Sequence, residues 1–114
     1  MEDCIFCGII ARQIPAKIIY EDDHILAFDD IDPKAPIHKL IIPKQHIATL
    51  NDITLNEAPI FGQLFLAAKH IAQELGIAEE GYRTLFNCNA GGGQLVYHIH
   101  LHLLGGRQMQ WPPG

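Results

Sequence analysis

Apolar residues follow the helical period in one long stretch, residues 51–76, where Ile60, Phe61, Leu64, Phe65, Ala67, Ala68, Ile71, Ala72 and Leu75 form a wide stripe. Thr54-Leu-Asn-Glu57 has the form of a capping box, Pro59 suits a first turn, and Gly76 suits a left-handed C-terminal cap. The spacing of Ile5, Phe6, Ile9 and Ile10 predicts a second, short helix over residues 4–11, ending near Ile14-Pro15. Elsewhere β-prone runs predict strands over residues 17–20, 24–28, 38–42, 82–87 and 96–104. Glu21-Asp22-Asp23 reads as a hairpin turn, the Asp- and Pro-rich residues 29–36 as a loop, and Gly91-Gly92-Gly93 as a flexible loop. Short antiparallel connections then give an α+β fold: a five-stranded antiparallel, meander-like sheet with one long and one short helix on one face. Phe61, Leu64 and Phe65 exceed what one core face can bury, which predicts a homodimer whose sheets join across the two-fold axis.

The chain has 114 residues, 48% of them hydrophobic and 18% charged, so residues 1–114 suit a single domain, with 105–114 as a short Pro-containing tail. Eight basic against thirteen acidic residues leave a formal charge of -5. That balance excludes a nucleic acid polymer or an anionic membrane as the partner, while a mononucleotide needs only a local pocket. No apolar run approaches a membrane span, the acidic start Met1-Glu2-Asp3 is unlike a signal peptide, and three cysteines cannot all pair. These features predict a cytoplasmic protein with reduced thiols.

Seven histidines are the compositional excess, and three of them alternate with aliphatics in His98-Ile99-His100-Leu101-His102-Leu103-Leu104. In a strand this places the imidazoles on one face and Ile99, Leu101 and Leu103 on the core face. Two chemistries compete for them. A His-x-His pair can chelate zinc, which for catalysis needs a third ligand and an open position. Alternatively, a neutral imidazole can attack phosphorus and divide one displacement into two. Gly91-Gly92-Gly93-Gln94 just upstream favours the second, because its unobstructed backbone N–H groups suit a phosphate.

These motifs resemble the histidine triad family, whose signature alternates three histidines with apolar residues. The similarity extends through Ile14-Pro15-Ala-Lys17, Tyr20-Glu-Asp-Asp23, Ala35-Pro36-Ile-His38, Ile41-Ile-Pro43-Lys44, Gly92-Gly93-Gln94 and the ending Trp111-Pro112-Pro113-Gly114. The resemblance is to the nucleotide-binding branch, which implies a homodimeric purine nucleoside phosphoramidase that hydrolyses adenosine phosphoramidates and acyl-adenylates. It implies His100 as the nucleophile, His102 and Asn87 as phosphate contacts, and Gly93 and Gln94 as the backbone loop near the phosphate. It further implies that His38 lines the same site, that Asp30 accepts from the ribose hydroxyls, and that Phe6, Ile9, Phe28, Ile31 and Leu40 wall the base. A carboxylate for a diol and an apolar slot for a purine agree with those assignments.

Catalysis needs no cofactor in this scheme. Cys4-x-x-Cys7 offers half of a tetrahedral zinc site. By resemblance to bacterial relatives, His46 and His98 complete a structural one; the alternative is two reduced cysteines anchoring a short helix. His98 thus counts among both the triad and the metal ligands. His24 and His70 are expected to face solvent, and Cys88 to be a buried small hydrophobe. Two positions depart from relatives: Leu95 stands where some carry Ser, and Asp29 where some carry His, so leaving-group and base contacts differ here. The resemblance also implies that the tail reaches the partner's active site, where Trp111 shapes the leaving-group side. A nucleotide sensor or scaffold, or a zinc-dependent phosphohydrolase, is the competing function.

Overall fold

A computed structural model describes residues 3–114; Met1 and Glu2 of the acidic start lie outside the described residues. In chain order the elements are α1 (Ile5–Ile10), β1 (Ile18–Glu21), β2 (Ile25–Asp29), β3 (Ile37–Pro43), α2 (Ala58–Glu74), β4 (Arg83–Leu85), α3 (Asn89–Gly92) and β5 (Leu101–Gly105), with a 3-10 turn at Leu50–Asp52 before α2. The strands form one antiparallel sheet in the order β1-β2-β3-β5-β4. It is therefore no simple meander, since β5 returns to lie between β3 and β4.

β2 and β3 are apolar on both faces, and each face finds its own helix. Ile25, Ala27, Ile41, Leu101 and Leu103 pack on Leu64, Ala67, Ala68 and Ile71 of α2. Leu26, Phe28, Leu40 and Ile42 pack on Phe6 and Ile9 of α1. The helices thus cover opposite faces, correcting the expectation that both share one. Uninterrupted runs such as Ile25-Leu-Ala-Phe28 are what a strand buried on two sides requires, whereas a one-sided sheet alternates.

The hairpin after β1 is fastened by Asp22, whose Oδ1 accepts from the His24 and Ile25 amides at 2.8 Å each. Thr54 and Glu57 make the capping contacts, Glu57 Oε1 accepting from Thr54 N at 2.8 Å, yet they close the turn before α2 rather than its first turn. Gly76 takes the left-handed cap at φ 75°. Of the residues expected to spill from one core face, Leu64 is fully buried and Phe61 half-buried, while Phe65 and Leu66 are 47% and 66% exposed. The exposed apolar face of α2 is thus centred on Phe65 and Leu66.

Two further expectations change. The strand predicted over 96–104 begins only at Leu101, because Val96 to His98 bend and Ile99 N bonds instead to Ile47 O at 2.8 Å. The glycine loop is a built turn, α3. Asn89 enters it at φ 60°, Gly93 leaves it at φ 85°, and the buried Gln94 side chain ties it down. Gln94 Oε1 accepts from Asn89 N at 2.8 Å, and Nε2 donates to the Ala48 and Val96 carbonyls at 2.8 and 3.1 Å. Cys88 is half-buried rather than enclosed; His24 and His70 are exposed.

Candidate active site

The pairing of β3 with β5 sets the site. His102 lies opposite Leu40, and because Leu101 and Leu103 belong to the α2 core, His102 faces the α1 side. His38, two residues before Leu40 on β3, shares that face and is buried. Hydrogen bonds then fix each imidazole's tautomer. The Lys34 amide can only donate, and it donates to His38 Nδ1 at 3.0 Å. Neutral His38 must therefore carry its hydrogen on Nε2, which donates to His102 Nδ1 at 2.9 Å and lies 3.3 Å from Asp30 Oδ2. His102 in turn carries its hydrogen on Nε2, a buried atom with no partner. Burial, reinforced by His100 and His38, pushes His102 down to about 4; burial also lowers His38.

His100 is buried, with Nδ1 2.8 Å from the His98 carbonyl. A carbonyl only accepts, so Nδ1 carries the hydrogen and Nε2 keeps a lone pair. Burial lowers the pKa of His100 against the opposing pull of that carbonyl, which keeps it neutral at pH 7. His98 is held by the same logic: Nε2 donates to the Pro43 carbonyl at 2.8 Å, leaving Nδ1 as its free lone pair.

His100 and His102 line a cavity of about 430 Å³. Phe6 and Ile9 of α1, Phe28 of β2 and Leu40 of β3 form apolar walls; Asp30, Asn87 and Gly93 supply polar groups. A flat apolar body with a polar end fits such a space. Phe6 meets Phe28 edge-on at 5.3 Å and His100 at 5.2 Å between ring centres. Among the described residues no Lys or Arg lines this cavity, so a phosphoryl group there depends on N–H donors.

Several expected residues sit elsewhere. Ile31 is 99% exposed at the mouth and encloses nothing by itself. Gln94 does not line the cavity, because its side chain is the anchor of α3. His38 stands behind His102 rather than on the wall, which is the cost of burying a second imidazole under the first. Residue reading missed Ile5, Ala16 and Val96 on the wall, while Leu95, noted in the sequence for its bearing on leaving-group contacts, does line the cavity, as do Ile14 and Pro15. Asp29 lines the rim but is engaged by Lys39 Nζ at 2.6 Å.

On the far side of α1, Cys4, Cys7, His46 and His98 bring their ligand atoms within 4.8 Å of one another. Tetrahedral zinc at ordinary bond lengths sets N to N near about 3.3 Å and S to N near about 3.6 Å. Here Nδ1 of His46 and His98 are 3.2 Å apart, and the S to N separations are 3.3, 3.4 and 3.6 Å. The donors fit zinc in number, softness and spacing. Asp30, His38 and His102 also cluster, but the Lys34 amide occupies Nδ1 of His38 and leaves Nε2 protonated, with no lone pair for an ion.

A buried imidazole with a fixed tautomer, presented beside an apolar cavity between a sheet face and a short helix, is an arrangement suited to an enzyme. The chain matches the HIT domain over residues 11–109. It is 55% identical over 113 residues to an uncharacterized HIT-like protein of Synechococcus elongatus, covering 99% of this chain and 98% of that one. It is 51% identical over 108 residues to the purine nucleoside phosphoramidase of Escherichia coli K12, covering 95% and 91%. The crystal structure of a HIT family hydrolase from Legionella pneumophila Philadelphia 1 superposes with a TM-score of 0.96 at 57% identity, covering 98% of this chain and 100% of the other. The chain belongs to the HIT family, and within it is a hydrolase. No helix among the described residues is long and apolar enough to cross a membrane.

Proposed function

We propose that this protein hydrolyses the P–N bond of purine nucleoside 5'-phosphoramidates, and the acyl phosphate bond of acyl-adenylates, through a nucleotidyl-His100 intermediate. The observation that carries the reading is the His98 carbonyl holding His100 Nδ1–H, which leaves the Nε2 lone pair free beside the cavity. The similarity to the Escherichia coli phosphoramidase supports the substrate class. Nε2 of His100 attacks the α-phosphorus as the P–N bond breaks, and the amine departs with one added proton. Water then attacks phosphorus, His100 leaves, and one proton is returned. The unpartnered His102 Nε2–H and the Gly93 turn are the donors for the phosphoryl oxygens, while Asp30 accepts from the ribose hydroxyls.

Hydrolysis of adenosine 5'-phosphoramidate tests this. His100→Ala should lower kcat by roughly a thousandfold or more while the Kd for AMP changes little, and substrate chiral at phosphorus should react with retention. Near-normal turnover in His100→Ala would overturn it, and nucleotide binding without turnover in the native protein would favour a sensor.

Cys4, Cys7, His46 and His98 are proposed to hold one structural zinc. When bound there it supplies a cross-link between α1 and the segments carrying His46 and His98, not the attacking group. Metal analysis of protein purified without chelator should give one equivalent; none would remove the idea. The exposed Phe65 and Leu66 of α2 and the free edge of β4 support a homodimer whose sheets continue across the axis. The unpaired thiols of Cys4, Cys7 and Cys88 support a reducing, cytoplasmic setting.

A further inference from the structure

α1 is a helix of six residues, too short to persist without tertiary support. Yet it does two things at once. Its apolar face supplies Phe6 and Ile9 to the cavity beside His100, and Phe6 also packs edge-on to His98 at 5.9 Å and His100 at 5.2 Å between ring centres. Its other side carries Cys7, with Cys4 at the N-cap; Cys4 Sγ meets the His98 imidazole, and Cys7 Sγ meets those of His46 and His98. Cys4 Sγ accepts from the Cys7 amide at 3.3 Å, so the thiol end is also the helix cap. Only Phe6 and Ile9 of α1 are buried, leaving little apolar area to hold the helix on the sheet by itself.

We propose that Cys4 and Cys7 are positioning residues for nucleotide recognition: by fastening α1 to His46 and His98, they hold Phe6 and Ile9 in place as the wall of the base slot. His98 extends the same tie to the chemistry, because its ring joins the thiol cluster while its carbonyl orients His100. Releasing the thiols frees one wall of the slot and leaves the His102, Asn87 and Gly93 side of the cavity on its own supports. The loss of binding therefore falls on the base more than on the sugar and phosphate, whatever His98 does to the orientation of His100.

This inference rests on the nucleotide reading above, and the probes separate the two. AMP and ribose 5-phosphate share the sugar and phosphate and differ only in the base. Their dissociation constants are to be measured by NMR titration for the native protein and for Cys4→Ala/Cys7→Ala, with far-UV circular dichroism to verify the fold. The native protein should bind AMP well above ribose 5-phosphate; if it does not, the nucleotide reading itself fails. In the double variant, affinity for AMP should fall about tenfold or more, with ribose 5-phosphate changed less than about threefold. Equal losses for both ligands, or an unchanged ratio, would overturn the positioning role. Should the double variant not fold, Cys4→Asp compared with Cys4→Ala decides: the ligand-retaining carboxylate should recover the preference for AMP, and failure to recover it counts against the proposal.

Discussion

His102 shows how much one side chain's surroundings decide. Its ordinary pKa of 6.5 falls to about 4 because burial penalises the cation and His100 and His38 repel it. Above about pH 6.5 both folded and unfolded chains hold it neutral, so it contributes no slope to stability. As pH falls below that value the unfolded state takes up a proton that the folded state refuses until pH 4, and stability declines across that window. His38, also lowered, acts in the same direction. Asp22, lowered from 3.8, loses its stabilising charge only at more acid pH, so the two effects separate. The melting temperature should therefore fall between about pH 6.5 and 4.5, and His102→Gln should flatten that fall. An equally steep decline in the variant would show that other groups govern it. The alternation from His98 to His102 made the histidines legible in sequence, but not their separate jobs. Those depend on a hydrogen bond donated by the Lys34 amide and on two accepted by the Pro43 and His98 carbonyls, contacts with no local spacing to announce them.

Among the elements, the long helix and all five strands could be read from the sequence, β2 and β3 from their buried apolar runs and the half-buried β1 and β4 from β-prone residues alone, while β5 starts later than its run suggests. The placement of α1 could not, since Ile5, Phe6, Ile9 and Ile10 specify an apolar face without saying which side of the sheet it covers. The glycine turn escaped for a different reason: three consecutive glycines read as freedom, and the residue that removes it is Gln94. Gln94→Ala should leave the Asn89 amide and the Ala48 carbonyl without their partner and cost roughly 2 to 3 kcal/mol. Urea unfolding measures that loss. The same variant should weaken AMP binding, because Gly93, at φ 85°, would no longer be held against the cavity. A stability change below about 0.5 kcal/mol would mean that water replaces all three bonds without loss.

At the scale of the whole molecule, the described residues leave large apolar groups in water that a solitary chain has no reason to carry. Phe65 is 47% exposed, Leu66 66% and Trp111 83%. The tail is not free, for Gln110 O accepts from Arg83 Nη2 at 2.9 Å and Arg107 donates to Lys34 O. Trp111 follows directly after the Gln110 tie and stays exposed. A two-fold mate joined at β4 would cover Phe65 and Leu66 and receive each tail near the other subunit's cavity. Sedimentation at micromolar concentration should accordingly give a dimer, and Phe65→Glu with Leu66→Glu should shift it toward monomer. Removing residues 108–114 should leave the melting temperature within a few degrees, since no buried core residue is lost. Its effect should fall on selectivity: kcat/KM for phosphoramidates of bulky, aromatic amines should drop relative to those of small amines, as the placement of Trp111 implied by the family resemblance requires. An amine preference identical to that of the full chain would place Trp111 outside the site.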